Sequence, residues 1–279
     1  MKPGIYPDLS FPEYRALAAW GSSDLKAFRI GPPARVLWER DHERGDTDAT
    51  RFGTAVHAAV LTPRLYAETY AVKPEGMTFA SKDGKAWRDG QQGKTIISAA
   101  DASRVEAILA AIDAKPAARA ALEGGRTESS YLWSDPDTGE ACKARADLID
   151  AHGYVYDLKV TRYAGARLAW AAYTQGWAHQ LAHYRAGLVA LGADVPGCRI
   201  IAVHPEAPHY VHLAEVRAAD LDVMGMENIE TLGRMKACRE ANNWPGTPDE
   251  WTRLDIPQYA IESTVGALDL TGAEEVFDG

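Results

Sequence analysis

Cysteine is scarce: Cys142, Cys198 and Cys238 stand far apart, with no Cys-x-x-Cys pair. Neither a disulfide framework nor a four-cysteine zinc or iron–sulfur site can be assembled within one chain, and buried thiols are expected. Long apolar runs are missing, and Met1 to Asp8 has no basic segment followed by an apolar one. The expectation is therefore a cytoplasmic protein with no membrane association. Gly124-Gly125 and Gly90-x-x-Gly93 have neither the motif nor the context of a phosphate cradle, which argues against ATP binding. A Ser/His/Asp or Cys/His nucleophile signature is lacking as well. Internal repeats, low-complexity tracts and Ser/Gly-rich linkers are not found, so residues 1–279 read as a single domain.

Positive charge is also in short supply. The 30 Lys and Arg against 39 Asp and Glu leave a net charge of −9. That argues against a nucleic-acid coat with a basic surface throughout. It leaves room for an enzyme that gathers carboxylates at its centre and meets DNA along a local basic track.

What is present is ordinary globular usage, 46% hydrophobic and 25% charged, in a chain long enough to bury a large core. Residues 1–125 read as a mainly helical N-terminal part. Ser22 or Ser23 is positioned to cap a short helix through Phe28, Gly31-Pro32-Pro33 punctuates it, and another helix should cover Arg51 to Leu61. Tyr66 to Gly93 reads as flexible polar loop; Ser98 or Asp101 should cap a helix ending near Asp113, and Pro116 starts a short one. From 126 to 216 the period changes: Thr127–Ser134, Glu140–Asp150 and Tyr154–Thr161 form a β-meander, a long helical region covers 166–191, and two apolar strands follow. Residues 217–279 supply a last helix and a tail. The order predicts an α/β fold, a central mixed sheet flanked by helices.

The second hairpin concentrates charge. With Ala151-His152-Gly153 as a three-residue loop, Asp147 faces Asp157 and Arg145 faces Lys159, while Ala144, Ala146, Leu148, Tyr156, Leu158 and Val160 occupy the other face. Opposed carboxylates repel at Cβ separations of about 4.5–5.5 Å. A divalent cation between them reverses that sign, and Mg²⁺ is usually held by one or two carboxylates with water and substrate phosphate. If Pro136 to Gly139 forms a four-residue loop, Glu128 faces Asp147; an odd loop turns it away. On spacing alone, a solvated polar face with chance ion pairs accounts for these residues equally well.

Asp147 followed by Asp157-Leu158-Lys159 resembles the acidic core of the PD-(D/E)xK nuclease superfamily. With Gly53-x-x-x-His57 upstream, Glu128-Ser129-Ser130 before the first hairpin and Gln180-x-x-x-Tyr184 downstream, the ordered set is similar to RecB-like nucleases. The stretch Glu128 to Cys142 with Arg145-x-Asp147 is closer still to the RecE-type (exonuclease VIII) nuclease domain, and the likeness runs from about Tyr6 to Trp244-Pro245. Asp157 departs from the Glu more common in the superfamily.

The resemblance implies a PD-(D/E)xK nuclease fold, with Asp147, Asp157 and the Leu158 carbonyl as metal ligands and Glu128 as an additional acidic residue. His57 matches the helix histidine of RecB-like sites and is implied as a further metal ligand, one that favours Mn²⁺ somewhat relative to an all-oxygen site. Lys159 would position or deprotonate the attacking water, and Gln180 would orient water or phosphate. Mg²⁺ is the implied cofactor, with Mn²⁺ expected to substitute. Arg145, Arg162, Gln180 and Tyr184 are the candidate substrate contacts; Arg167, Lys82, Lys85 and Lys94 are others, each read more simply as a solvated charge. The implied activity is a double-stranded DNA exonuclease, 5′→3′, acting on DNA ends as a ring-shaped homo-oligomer for a RecT-like single-strand annealing protein. A RecB-like endonuclease or single-strand nuclease is one alternative, and a non-catalytic DNA-end-binding module is another. His179 and His183 are four apart but lack the glutamate of a zinc helix; His204, His209 and His212 read as solvated or core. Trp170, Tyr173, Trp177, Gln180 and Tyr184 form a helical stripe, read as core for the tryptophans and as site edge for Gln180 and Tyr184.

Overall fold

The computed structural model describes residues 2–42, 45, 47–258 and 261–262; the end of the tail assigned to 217–279 lies outside the described residues. Met1–Pro245 form one compact unit and Gly246–Gly279 a second. In the first, β1 (Gly4–Tyr6), α1 (Phe11–Ala16), α2 (Ser22–Ile30), α3 (Ala34–Asp41), α4 (Asp48–Leu61) and α5 (Pro63–Thr69) lead to β2 (Tyr70–Lys73). Then come α6 (Lys82–Asp89), β3 (Thr95–Ser98), α7 (Ala99–Asp113), α8 (Pro116–Leu122), β4 (Arg126–Ser134), β5 (Ala141–Ile149) and β6 (Val155–Val160). The unit finishes with α9 (Ala166–Thr174), α10 (Trp177–Ala190), β7 (Cys198–Val203), β8 (Val211–Val216) and α11 (Ala218–Glu240). No described helix is long and apolar enough to cross a membrane.

The main sheet runs β1-β4-β5-β6-β7-β8, antiparallel throughout except for the parallel β6–β7 pair. This is the mixed sheet that the sequence predicts. Helices cover both faces. Leu25 and Phe28 of α2, Leu181 and Leu188 of α10, and Leu232 and Met235 of α11 pack on Ala144, Ala146, Val155 and Ile200. On the opposite face, Val56 of α4 and Ile108 and Ile112 of α7 pack on Leu148, Tyr156, Leu158 and Ile201.

Two turns fix the hairpin registers. Asp135 Oδ1 accepts the Thr138 N–H at 2.8 Å and its hydroxyl at 2.7 Å, and Gly139 takes φ +74°, so the first loop has four residues. Thr127 then pairs Leu148 and Ser129 pairs Ala146, setting Glu128 across from Asp147. Asp150 Oδ1 accepts the N–H groups of His152 and Tyr154 at 2.9 and 3.0 Å, closing the three-residue loop over Gly153. Leu148 pairs Tyr156 as expected.

Several expectations need correction. Ala144 and Ala146 pack in one layer and Leu148 in the other, so the six apolar residues of the second hairpin do not share a face. The alternation steps over beside Glu128, whose φ of +51° takes that residue out of the ladder. The β5–β6 ladder stops at Leu148–Tyr156, so Arg145 is not paired with Lys159. Tyr66 to Gly93 is not plain loop, because β2 and β3 form a parallel two-stranded sheet around α6. The helical region 166–191 breaks at Gly176, whose φ is +76°. Helix α2 is capped neither by Ser22 nor by Ser23: Asp24 reaches back to the Gly21 N–H at 2.7 Å.

Helix α10 approaches β4 closely because Gly187 has no side chain. A Cβ there would lie 2.6 Å from the Trp133 ring and 2.8 Å from the Tyr131 ring, both buried. Gly187→Ala gains up to about 1 kcal/mol of helix propensity but overpacks a rigid aromatic pair, at a typical cost of about 1–3 kcal/mol. A lower urea midpoint with an unchanged m-value is expected; an unchanged or higher midpoint contradicts this packing.

Candidate active site

Asp147 lies at the end of the β5–β6 ladder, and its Oδ2 accepts the Leu158 N–H at 2.8 Å. Asp157 on β6 is fully buried, and Lys159, two residues on, turns to the same side. The Lys159 ammonium donates to Asp157 Oδ1 at 2.9 Å and to Gln180 Oε1 at 3.2 Å. Gln180, in the first turn of α10, donates its amide to Asp157 Oδ1 at 3.2 Å and to the Tyr184 hydroxyl at 2.6 Å. One amide thus ties the lysine, a carboxylate and a tyrosine together. Asp157 Oδ2 lies 2.8 Å from the ammonium but outside hydrogen-bond geometry, and it has no other partner among the described residues.

Burial dominates the electrostatics. It pushes the Asp147 carboxyl up to about 6, against the attraction of Lys159 and the Leu158 N–H and with the help of Glu128. Asp157 is likewise pushed up to about 6 by burial, against Lys159 and reinforced by Asp147. His57 on α4 sits with Nδ1 3.7 Å from Asp147 Oδ2, too far for a hydrogen bond. Burial and then Lys159 hold its pKa below the usual value, which favours the neutral, metal-ligating imidazole.

Glu128 and Arg145 flank this cluster. Arg145 Nε donates to Glu128 Oε2 at 2.7 Å, and its Nη1 donates to the Leu9 carbonyl and to Ser130 Oγ at 2.7 and 2.8 Å. Arg145 therefore anchors the Glu128 carboxylate and the chain after β1. Tyr184 is buried beneath Gln180. Arg162 stands apart, exposed and paired with Glu206 at 2.5 Å, on the rim of a cleft of about 700 Å³ that Arg51, Phe52 and Arg104 also line. His179 faces Glu227 at 2.7 Å and His183 faces the Lys143 carbonyl at 3.1 Å, so they share no ligand position. Cys142 and Cys198 are buried free thiols, and Cys238 is half-buried.

The donors suit a hard divalent cation: two carboxylates, one with an unpartnered buried oxygen, and a neutral imidazole nearby. Among the described residues, no three carboxylate, imidazole or thiol side chains converge closely enough to hold an ion by themselves. Water and substrate oxygens must complete the set, as is usual for Mg²⁺.

Sequence reasoning missed the part played by the chain before α1. Leu9 contributes a carbonyl to Arg145, and β1, three residues long, pairs with β4. Nothing in so short a segment signals a strand.

The raised carboxyls have a consequence for stability. Their folded pKa lies above the unfolded value, so the favourable contribution is full at low pH and is lost as pH rises through about 6. In the metal-free protein at pH 8, Asp157→Asn should raise the melting temperature by a few degrees, and the gain should shrink as pH falls through about 6 and vanish only below the ordinary carboxyl value of 3.8, where the unfolded chain is protonated too. With Mg²⁺ added, wild type should gain stability and the variant should not. Scanning calorimetry reads both; a variant less stable at pH 8 without metal would contradict the account.

Comparison with known proteins agrees with this geometry. No curated protein sequence matches the chain. A crystal structure of a "Putative exonuclease" from Eubacterium rectale superposes with a TM-score of 0.62 at 15% identity, covering 93% of this chain and 99% of the other. That likeness bears on the fold. The model of a PDDEXK-like domain of unknown function, DUF3799, matches residues 21–252. The chain belongs to that PDDEXK-like family and carries a PD-(D/E)xK nuclease-type domain.

Proposed function

We propose that the protein is a metal-dependent exodeoxyribonuclease acting on double-stranded DNA ends. The observation that carries the reading is the half-buried cluster of Asp147, Lys159 and Gln180 around the fully buried Asp157 at the end of the β5–β6 ladder. Two carboxylates raised by burial and only partly compensated by one ammonium are unfavourable in a purely structural role. The chemistry a bound Mg²⁺ or Mn²⁺ supplies in such a site is polarisation of the phosphoryl oxygen and acidification of a water. Asp147 and Asp157 would hold the ion, with His57 and the Leu158 carbonyl beside it.

The remaining work falls to the chain itself. Lys159 Nζ, held as an ammonium by Asp157 and Gln180, positions the attacking water and the phosphate by donating to their oxygens. Gln180 sets the lysine against Asp157. Glu128, held by Arg145, adds an acceptor at the edge of the cluster. The 5′→3′ direction, a ring of subunits around DNA, and hand-over of single strands to a RecT-like annealing protein are part of the proposal and rest on the RecE-type resemblance.

Linear duplex and covalently closed duplex incubated with Mg²⁺, Mn²⁺ or EDTA test it. Linear DNA should be lost with either metal while the closed circle survives, and EDTA should stop the loss. Lys159→Ala should lower turnover by orders of magnitude while leaving metal affinity largely intact. Rapid cutting of the closed circle would indicate an endonuclease, and no metal-dependent loss of either DNA would indicate an end-binding module; either overturns the reading.

A further inference from the structure

The tryptophans of the helical stripe do not all behave as core. On α9, Trp170 is 59% exposed and Tyr173 56%, while Tyr163 just before the helix is 36% exposed. Leu168 and Ala171 are the buried residues of this helix. Arg167, Trp170 and Tyr173 follow one another at a spacing of three along its outward side. Large rings displayed in succession on a short helix are an unfavourable way to cover a surface that water could reach.

The electrostatics of the segment are unlike the rest of the chain. From Leu158 to Ala193 there is no Asp or Glu, in a protein with 39 of them, while Lys159, Arg162, Arg167 and Arg185 all fall within it. Arg162 and Arg185 are paired with distant carboxylates, whereas Arg167 is exposed with no ion-pair partner among the described residues. The segment is also continuous with the candidate active site. Gln175-Gly176 joins α9 to α10, the first residue of α10 is Trp177, and the Lys159 ammonium lies 5.8 Å from the Trp177 ring centre.

We propose that the outward face of α9 is a stacking platform for single-stranded nucleic acid, leading to or from the catalytic cluster. Single strands offer unstacked base faces to aromatic rings, which a duplex does not, and their phosphates match the exposed Arg167, which has no ion-pair partner among the described residues and lies one turn from Trp170. The proposal deepens the nuclease reading and rests on it, since it names the strand that lies beside the site.

The test uses the whole protein in EDTA, where nothing is cleaved. Fluorescence anisotropy compares a labelled oligothymidylate, an abasic strand of equal length and a blunt duplex. Wild type should bind oligothymidylate at least about tenfold more tightly than the abasic strand. The Trp170→Ala, Tyr173→Ala double variant should bring oligothymidylate down to the abasic level and leave duplex binding within about twofold. Circular dichroism and melting should match wild type; if the double variant misfolds, Trp170→Leu, which keeps apolar bulk without a π-face, replaces it.

Equal wild-type affinity for oligothymidylate and abasic strands overturns the platform. So does a variant that changes only the oligomeric state in light scattering, which would give the face to a second copy of the chain. Cleavage of linear duplex with Mg²⁺ is scored separately. Base-dependent binding without cleavage defeats the nuclease reading alone, and cleavage with base-independent binding defeats the platform alone.

Discussion

Asp147 and Asp157 lie together at the end of the β5–β6 ladder, Asp157 buried and Asp147 half-buried, and the ammonium of Lys159 is hydrogen-bonded to Asp157. Burial raises both carboxyls further than the lysine lowers them, so each ionisation works against folding. A structural ion pair of this kind is often no better than apolar packing of similar volume. The cost becomes intelligible if the folded chain is the less stable partner of a cation-bound state. Binding free energy then offsets the repulsion between the two carboxylates.

The surrounding elements hold this arrangement against its own repulsion. Loops of four and three residues, closed by Asp135 accepting from the Thr138 N–H and hydroxyl and by Asp150 accepting two backbone N–H groups, set Glu128, Asp147 and Asp157 on neighbouring strands. The ladder ends beside Asp147, and the left-handed Glu128 backbone interrupts the β4–β5 pairing at the same level. Strain of this sort costs on the order of 1–3 kcal/mol and persists only where neighbours over-determine it. Arg145 does so here, bonding Glu128, Ser130 and the Leu9 carbonyl at once. Helix α10, pressed onto β4 at Gly187, brings Gln180 to Lys159 and Asp157 from the other side.

Much of this was legible in the sequence for identifiable reasons. Asp135-Pro136-Asp137-Thr138-Gly139 and Ala151-His152-Gly153 carry turn chemistry strong enough to set register, which pairs Leu148 with Tyr156 and leaves Asp147 and Asp157 just beyond the last rung of the same ladder. Gly176 leaves no mark in the hydrophobic pattern, because a break between two helices that share one pattern keeps it intact. Alternation alone cannot place Arg145, because the ladder stops at Leu148–Tyr156, before that residue is reached. The switch of core between Ala146 and Leu148 has the same origin: period-two reasoning holds only while backbone pairing does. Trp170 read as core because an aromatic at helical spacing usually is; its exposure depends on how α9 lies over the sheet, which one helix's sequence does not encode.

Whether the carboxylate pair receives a cation decides what the cluster is for. Calorimetric titration of the metal-free protein with Mn²⁺ at pH 6, in buffers of different ionisation enthalpy, measures this directly. Carboxyls raised to about 6 must give up protons when the ion enters, so binding should be accompanied by net proton release at pH 6 that disappears by pH 8. Asp147→Asn should remove both the binding and the release. Binding with no proton release at pH 6, or undiminished binding by Asp147→Asn, would contradict the account.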